Sequence, residues 1–188
     1  MSTTNIAREL GILRAMSSEI FDYVLSNSLF WQMQAYGDFP QLSLGMLLLT
    51  RAKLTAVAEQ LSDSQRADFE SATQKIDATL AKWAANCEKK AGQELRSRTN
   101  LWEQFIKDCV EKPGACGDNY PVMVNHRTIA SLLQRQYTAL ANSPEAERLP
   151  ALDALLQPRI TSGAFIWPDD LATAFPAPEF WFLHGRPA

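Results

Sequence analysis

Residues 62–109, SDSQRADFESATQKIDATLAKWAANCEKKAGQELRSRTNLWEQFIKDC, decide the fold. Phe69, Ala72, Ile76, Leu80, Trp83, Cys87, Ala91, Leu95, Arg98, Trp102, Phe105 and Cys109 recur at steps of three and four. Their mean spacing is close to the ~3.6 residues of an α-helical turn. Ser62 and Asp63 offer cap oxygens at the start. No proline falls within 64–111, and Pro113-Gly114 ends the pattern. One straight helix of this extent would run ~70 Å, whereas a compact chain of this size has a radius of gyration of ~16 Å. The helix must therefore project or bend. Gly92, beside Lys89 and Lys90, is the weakest point, because glycine costs ~1 kcal/mol relative to alanine in a helix interior. A bend or break near 89–93 is expected, with an unbroken helix as the alternative.

Outward from this segment the chain stays helical. Toward the amino terminus, Ile6, Leu10, Leu13, Ile20 and Val24 line one stripe of a helix over 5–26, with Ser17 inside the stripe and Thr3, Thr4 or Asn5 as caps. LFWQMQAYGDFP, 29–40, reads as an ordered loop or a short helical turn pinned by Phe30, Trp31, Tyr36 and Phe39. A helix over 42–61 follows, carrying Leu47, Leu54, Val57, Ala58 and Leu61; its first half is apolar all round and predicts deep burial.

Toward the carboxy terminus, PGACGDNY (113–120) reads as a turn, and Pro121 opens a helix over 121–141. Ser143 and Pro144 start a short helix that Pro150 limits; another is expected over 150–157 and one more over 168–174. No run has the alternation of a strand, and Phe165–Trp167 is too short for a sheet. The expected fold is all-α and a single domain over 1–188. It is a helical bundle with one very long or kinked central helix and an irregular, proline- and aromatic-rich arm, 158–188, packed on the bundle.

The arm ends in PEFWFLHGRPA, 178–188. Exposed, Phe180, Trp181, Phe182 and Leu183 would make an apolar patch of the kind monomers avoid. Burying one such side chain is worth ~1.5–3 kcal/mol, so the arm is expected to fold back between helices. Docking on a second copy or a different protein is the alternative.

Composition bounds the function. The chain of 188 residues is 46% hydrophobic and 21% charged with a net charge of −3, ordinary for a globular protein and unlike a nucleic-acid or membrane-surface binder. The longest apolar stretch, Leu42–Leu49, falls far short of the ~20 residues of a membrane span, and the first residues lack the pattern of a secretory signal. Cys87, Cys109 and Cys116 make an odd count. A bridge between Cys109 and Cys116 is geometrically open, but free thiols in a reducing, cytoplasmic location are the expectation.

Catalytic signatures are absent. The sequence holds no glycine-rich phosphate loop, no HExxH and no GxSxG, and its two histidines, His126 and His184, lack a glutamate three residues earlier. No metal, cofactor or catalytic residue is expected. Lys89-Lys90 is too small for a nucleic-acid patch. Arg98 is the informative exception: it falls in phase between Leu95 and Trp102, with Glu94 one turn earlier. It snorkels at the stripe's edge, or it faces a cleft and binds an anion. The start of the 121–141 helix would add free N–H groups, so Arg96, Arg98, Tyr120, Asn125, His126 and Arg127 form a candidate polar pocket for a small anionic ligand. The expected role is nevertheless non-catalytic, in protein–protein interaction, scaffolding or self-association. A small-ligand-binding or enzymatic bundle centred on Arg98 and His126 is the alternative.

Overall fold

The computed structural model describes residues 3–34, 38–112 and 116–187. Tyr36 and the Pro113-Gly114 terminator lie outside them. The side chain of Asn5 accepts the backbone N–H of Arg8 (3.0 Å) and starts α1 (Ile6–Leu25). The expected stripe is its buried face from Leu10 onward, through Leu13, Ser17, Ile20 and Val24, while Ile6 at its start is half-buried. Ser43 accepts the N–H of Met46 and opens α2 (Leu44–Ala56). This helix ends earlier than the expected 61. Val57 leaves helical geometry (φ −106°, ψ 19°) and a 3₁₀ turn, Ala58–Gln60, completes the segment. The chain must be extended at Ser62, because Ser62 caps the next helix. Ser62 and Gln65 each bond the other's backbone N–H, at 3.3 and 3.0 Å, and so form a capping box at the start of α3 (Asp63–Lys82).

The long periodic segment breaks at Trp83 (φ −117°, ψ 37°), and α4 (Ala84–Glu111) runs without interruption through Gly92. The expectation of a bend near 89–93 is corrected here. Ala91 and Leu95 are both fully enclosed at 0% exposure, and their packing outweighs the ~1 kcal/mol that glycine costs. The hydrogen-bond ladder nearly survives the break: the Trp83 N–H reaches the Thr79 carbonyl (3.1 Å), and the Trp83 carbonyl takes the Cys87 N–H (3.0 Å). Cys87, Ala91, Leu95, Arg98, Trp102, Phe105 and Cys109 are all buried, as their phase predicted.

The chain divides into two compact units, Thr4–Glu94 and the segment from Leu95 onward. In the first, α1 packs against α2 and α3. Its core includes Met16, Ile20, Leu47, Leu54 and Ile76. In the second, a disulfide joins Cys109 to Cys116. This corrects the expectation of free thiols; Cys87 alone is free. In the chain-entropy account a loop this short contributes about 2–3 kcal/mol. The bond fixes the first turn of α5 (Cys116–Gln136), which starts before the expected Pro121 and carries that proline inside.

After a 3₁₀ turn (Thr138–Asn142), Ser143 caps α6 (Pro144–Leu156). α6 passes through Pro150, where two helices were expected. Leu149, Leu152 and Leu156 are buried on both sides of the missing rung and hold it together.

The arm contains the chain's one described sheet, which the sequence did not announce. β1 (Ile160–Ser162) pairs antiparallel with β2 (Gly185–Pro187), with Thr161 opposite Arg186. Three-residue strands are too short to carry a period. The expected 168–174 helix is a 3₁₀ turn, Asp169–Ala174. Phe175, Phe180, Phe182 and Leu183 are fully buried. Trp167, Phe175, Phe180 and Phe182 meet edge to face in sequence, at 5.0, 5.2 and 6.1 Å between centroids.

Gly185 is required by this arrangement. A Cβ there would lie 2.5 Å from the Thr161 carbonyl oxygen, a backbone atom that cannot step aside. Gly185→Ala is expected to cost about 1–3 kcal/mol in denaturant unfolding and to sensitise the arm to protease. Gly117→Ala, where a Cβ meets nothing within 4 Å, serves as the neutral control.

Candidate functional site

Among the six residues nominated from the sequence, Arg98 of α4 and His126 of α5 meet directly. A guanidinium nitrogen of Arg98 lies 3.0 Å from His126 Nδ1. A guanidinium has no acceptor, so Arg98 donates and Nδ1 carries no proton. The imidazole is therefore neutral, with its proton on Nε2. Burial first and the neighbouring Arg98 charge second together lower the His126 pKa to about 4.

The remaining nominees take internal partners. Tyr120 is fully enclosed and donates its hydroxyl to the Phe182 carbonyl (2.7 Å). Burial, with the Asp153 charge second, pushes the Tyr120 hydroxyl pKa upward, so it stays a donor. Arg127 grips Asp153 of α6: its Nε lies 3.0 and 3.1 Å from the two carboxylate oxygens, and a terminal nitrogen lies 2.7 Å from Oδ2. Its other terminal nitrogen donates to Ser131 (2.6 Å), and the guanidinium sits 5.1 Å from the Phe182 ring centre. Trp102 Nε1 also donates to Asp153 (3.2 Å). Arg127, Asp153, Trp102 and Phe182 thus tie α4, α5, α6 and the arm together within this unit. Arg96 pairs with Glu145 (2.9 Å) while its side chain stays largely in solvent, and Asn125 is half-buried.

A different polar site appears in the Thr4–Glu94 unit. The end of α1 and the first half of α4 enclose a cleft of about 350 Å³, lined by Val24, Leu25, Ser26, Asn27, Ala85, Asn86, Lys89, Lys90 and Gln93. Two lysines and three carboxamides face it, and no carboxylate lines it. Lys90 forms its base at 5% exposure. The ammonium donates to the Ser28 carbonyl (2.6 Å) and stands 4.5 Å from the Tyr23 ring centre. Burial lowers its pKa; the nearby Cys87 acts in the opposite direction. Lys89 and the three carboxamides are exposed at the rim.

The sequence hid this site because the apolar stripe of α4 was drawn through Cys87, Ala91 and Leu95. Lys90 lies one position off that line, at its edge. The available signal was position: residues 86, 89, 90 and 93 share a polar face at helical spacing.

No protein-family model matches this sequence, and no curated protein or solved structure matches it either. Among the described residues, no group of three or more His, Cys, Asp or Glu is placed to hold a metal ion, and no helix is long and apolar enough to cross a membrane.

The Arg98–His126 pair makes stability depend on pH. The folded pKa of about 4 lies below the ordinary histidine value of 6.5. Between those values the unfolded chain binds the proton and the folded chain does not. The pair's contribution is therefore complete above 6.5 and declines as pH falls toward 4. His126→Gln, which keeps an acceptor for Arg98, is expected to flatten the slope of unfolding free energy against pH in that window. An NMR titration of His126 checks the same point: its ring signals should not move between pH 7.5 and 5.5.

Proposed function

We propose that this protein is a non-catalytic binding protein that holds a small anionic ligand, a carboxylate or a phosphate, in the cleft between the end of α1 and the first half of α4. The observation that carries this reading is the lining: Lys89 and Lys90 with Asn27, Asn86 and Gln93, and no acidic group among them. Ligand clefts typically measure ~300–1,000 Å³, and this one falls at the lower end, suited to a small molecule. Lys90, already turned toward the Ser28 carbonyl, is preorganised and carries positive charge at the floor. Carboxamide donors at the rim fix the orientation of an oxyanion without adding repulsion.

The anionic ligand class, the alternative offered by the sequence, is taken up here, and the site moves. Tyr120 and Arg127 of the earlier candidate set hold the arm and α6, and Arg98 is turned to His126. The interaction or scaffold reading rested on the absence of a convergent catalytic set, and the lining of this cleft supports the ligand-binding alternative over it. For location, the Cys109–Cys116 disulfide supports an oxidising compartment over the cytoplasm inferred from the cysteine count.

Titration of the isotope-labelled protein with inorganic phosphate and with citrate tests the reading. Amide shifts are expected over 24–27 and 85–93. Lys89 is exposed, so Lys89→Glu should fold normally and weaken binding at least tenfold with no change in melting temperature. Unmoved amides in that region, or equal affinity in the variant, would refute the reading.

A further inference from the structure

A second cleft, of about 310 Å³, lies where α4 ends and α5 begins, and both cysteines of the disulfide line it together with Phe105, Asp108, Glu111, Lys112 and Asn119. We propose that this cleft is a thiol-exchange site, at which a small thiol reductant attacks the sulfur of Cys109 and expels Cys116 as the thiolate. The two sulfurs are chemically unequal. Cys116 is the first residue of α5, and the positive end of a helix dipole stabilises a thiolate. Lys112 in the cleft wall acts in the same direction; Asp118 in the first turn of α5 opposes it. Cys109 stands in the last turn of α4, at the negative end of that helix, between Asp108 and Glu111. A thiolate there is disfavoured. Exchange proceeds fastest when the better-stabilised thiolate leaves, so attack at Cys109 is the favoured direction.

The step balances without a further reagent. The lone pair of the incoming thiolate forms a new bond to Cys109 Sγ, and the electron pair of the Cys109–Cys116 bond leaves on Cys116, which takes a proton from water. When the reductant is a dithiol, its second sulfur attacks the mixed disulfide. Cys109 is released as a thiol and the reductant leaves as a cyclic disulfide. Cys109 and Cys116 are enclosed at 1% and 3% exposure, so the reductant must enter the cleft to reach them. Cys87 takes no part: it lies in the other unit, is 1% exposed, and burial raises its thiol pKa.

The test uses the intact native chain and 2-mercaptoethanol, an uncharged monothiol. After timed exposure, acid quenching and peptide mapping locate the mixed disulfide. The adduct is expected mainly on Cys109, with a free thiol at Cys116 and Cys87 unmodified. The rate should be unchanged in urea below the unfolding transition. An equal or larger adduct at Cys116, or a rate that climbs with urea as global unfolding does, would overturn the proposal.

Discussion

α4 buries three charged side chains on one side of a single helix, and each must be met by a partner. Lys90, Glu94 and Arg98 follow one another at intervals of four, with exposures of 5%, 0% and 8%. Removing an ion from water costs several kcal/mol unless its hydrogen-bonding capacity is answered. The fold supplies those answers from distant parts of the sequence. Lys90 takes the Ser28 carbonyl and the Tyr23 ring. Glu94 accepts the Ser43 hydroxyl at 2.6 Å and the Gly45 N–H at 2.8 Å, so its carboxylate sits at the positive end of α2. Arg98 takes His126. An apolar stripe alone tolerates sliding, whereas these contacts admit only one arrangement of the elements that make them.

This constraint separates structural charge from chemistry. Arg127, which reads in sequence as an anion ligand, is held by a carboxylate, a hydroxyl and an aromatic face, and serves as a bolt for α6 and the arm. Lys89 and Lys90 read in sequence as a pair too small for a nucleic-acid patch. Lys90 is drawn inward by the same requirement that fixes Glu94 and Arg98. It thereby becomes the floor of a basic cleft whose rim is made of neutral donors.

The helical class and the phase of α4 were legible because helical periodicity needs no tertiary information. The caps at Asn5, Ser62 and Ser143 were legible for the same reason: each acts within four residues. What failed were the places where a local penalty is offset by distant packing. Gly92, Pro121 and Pro150 each argue for an interruption, and the helix continues through all three. The break came at Trp83, whose ring meets Phe21 of α1, a contact that no local rule reveals. The disulfide was visible as spacing but outweighed by an inference about compartment. β1 and β2 pair across the whole arm, which no three-residue pattern announces. Of the candidate site, the in-phase position of Arg98 was legible; the fates of Tyr120 and Arg127 depend on where the arm returns.

The most direct measurement of the buried-charge account is the unfolding free energy of Glu94→Ala, compared with the exposed Glu88→Ala in the same helix. Removing the Glu94 carboxylate takes a buried acceptor from the Ser43 hydroxyl and the Gly45 N–H, with Ser43 and Glu94 both at 0% exposure, and a loss of about 3–5 kcal/mol is expected. Glu88→Ala should stay within about 0.5 kcal/mol. A Glu94→Ala protein as stable as the Glu88→Ala control would contradict the claim that α4's buried charges fix the fold.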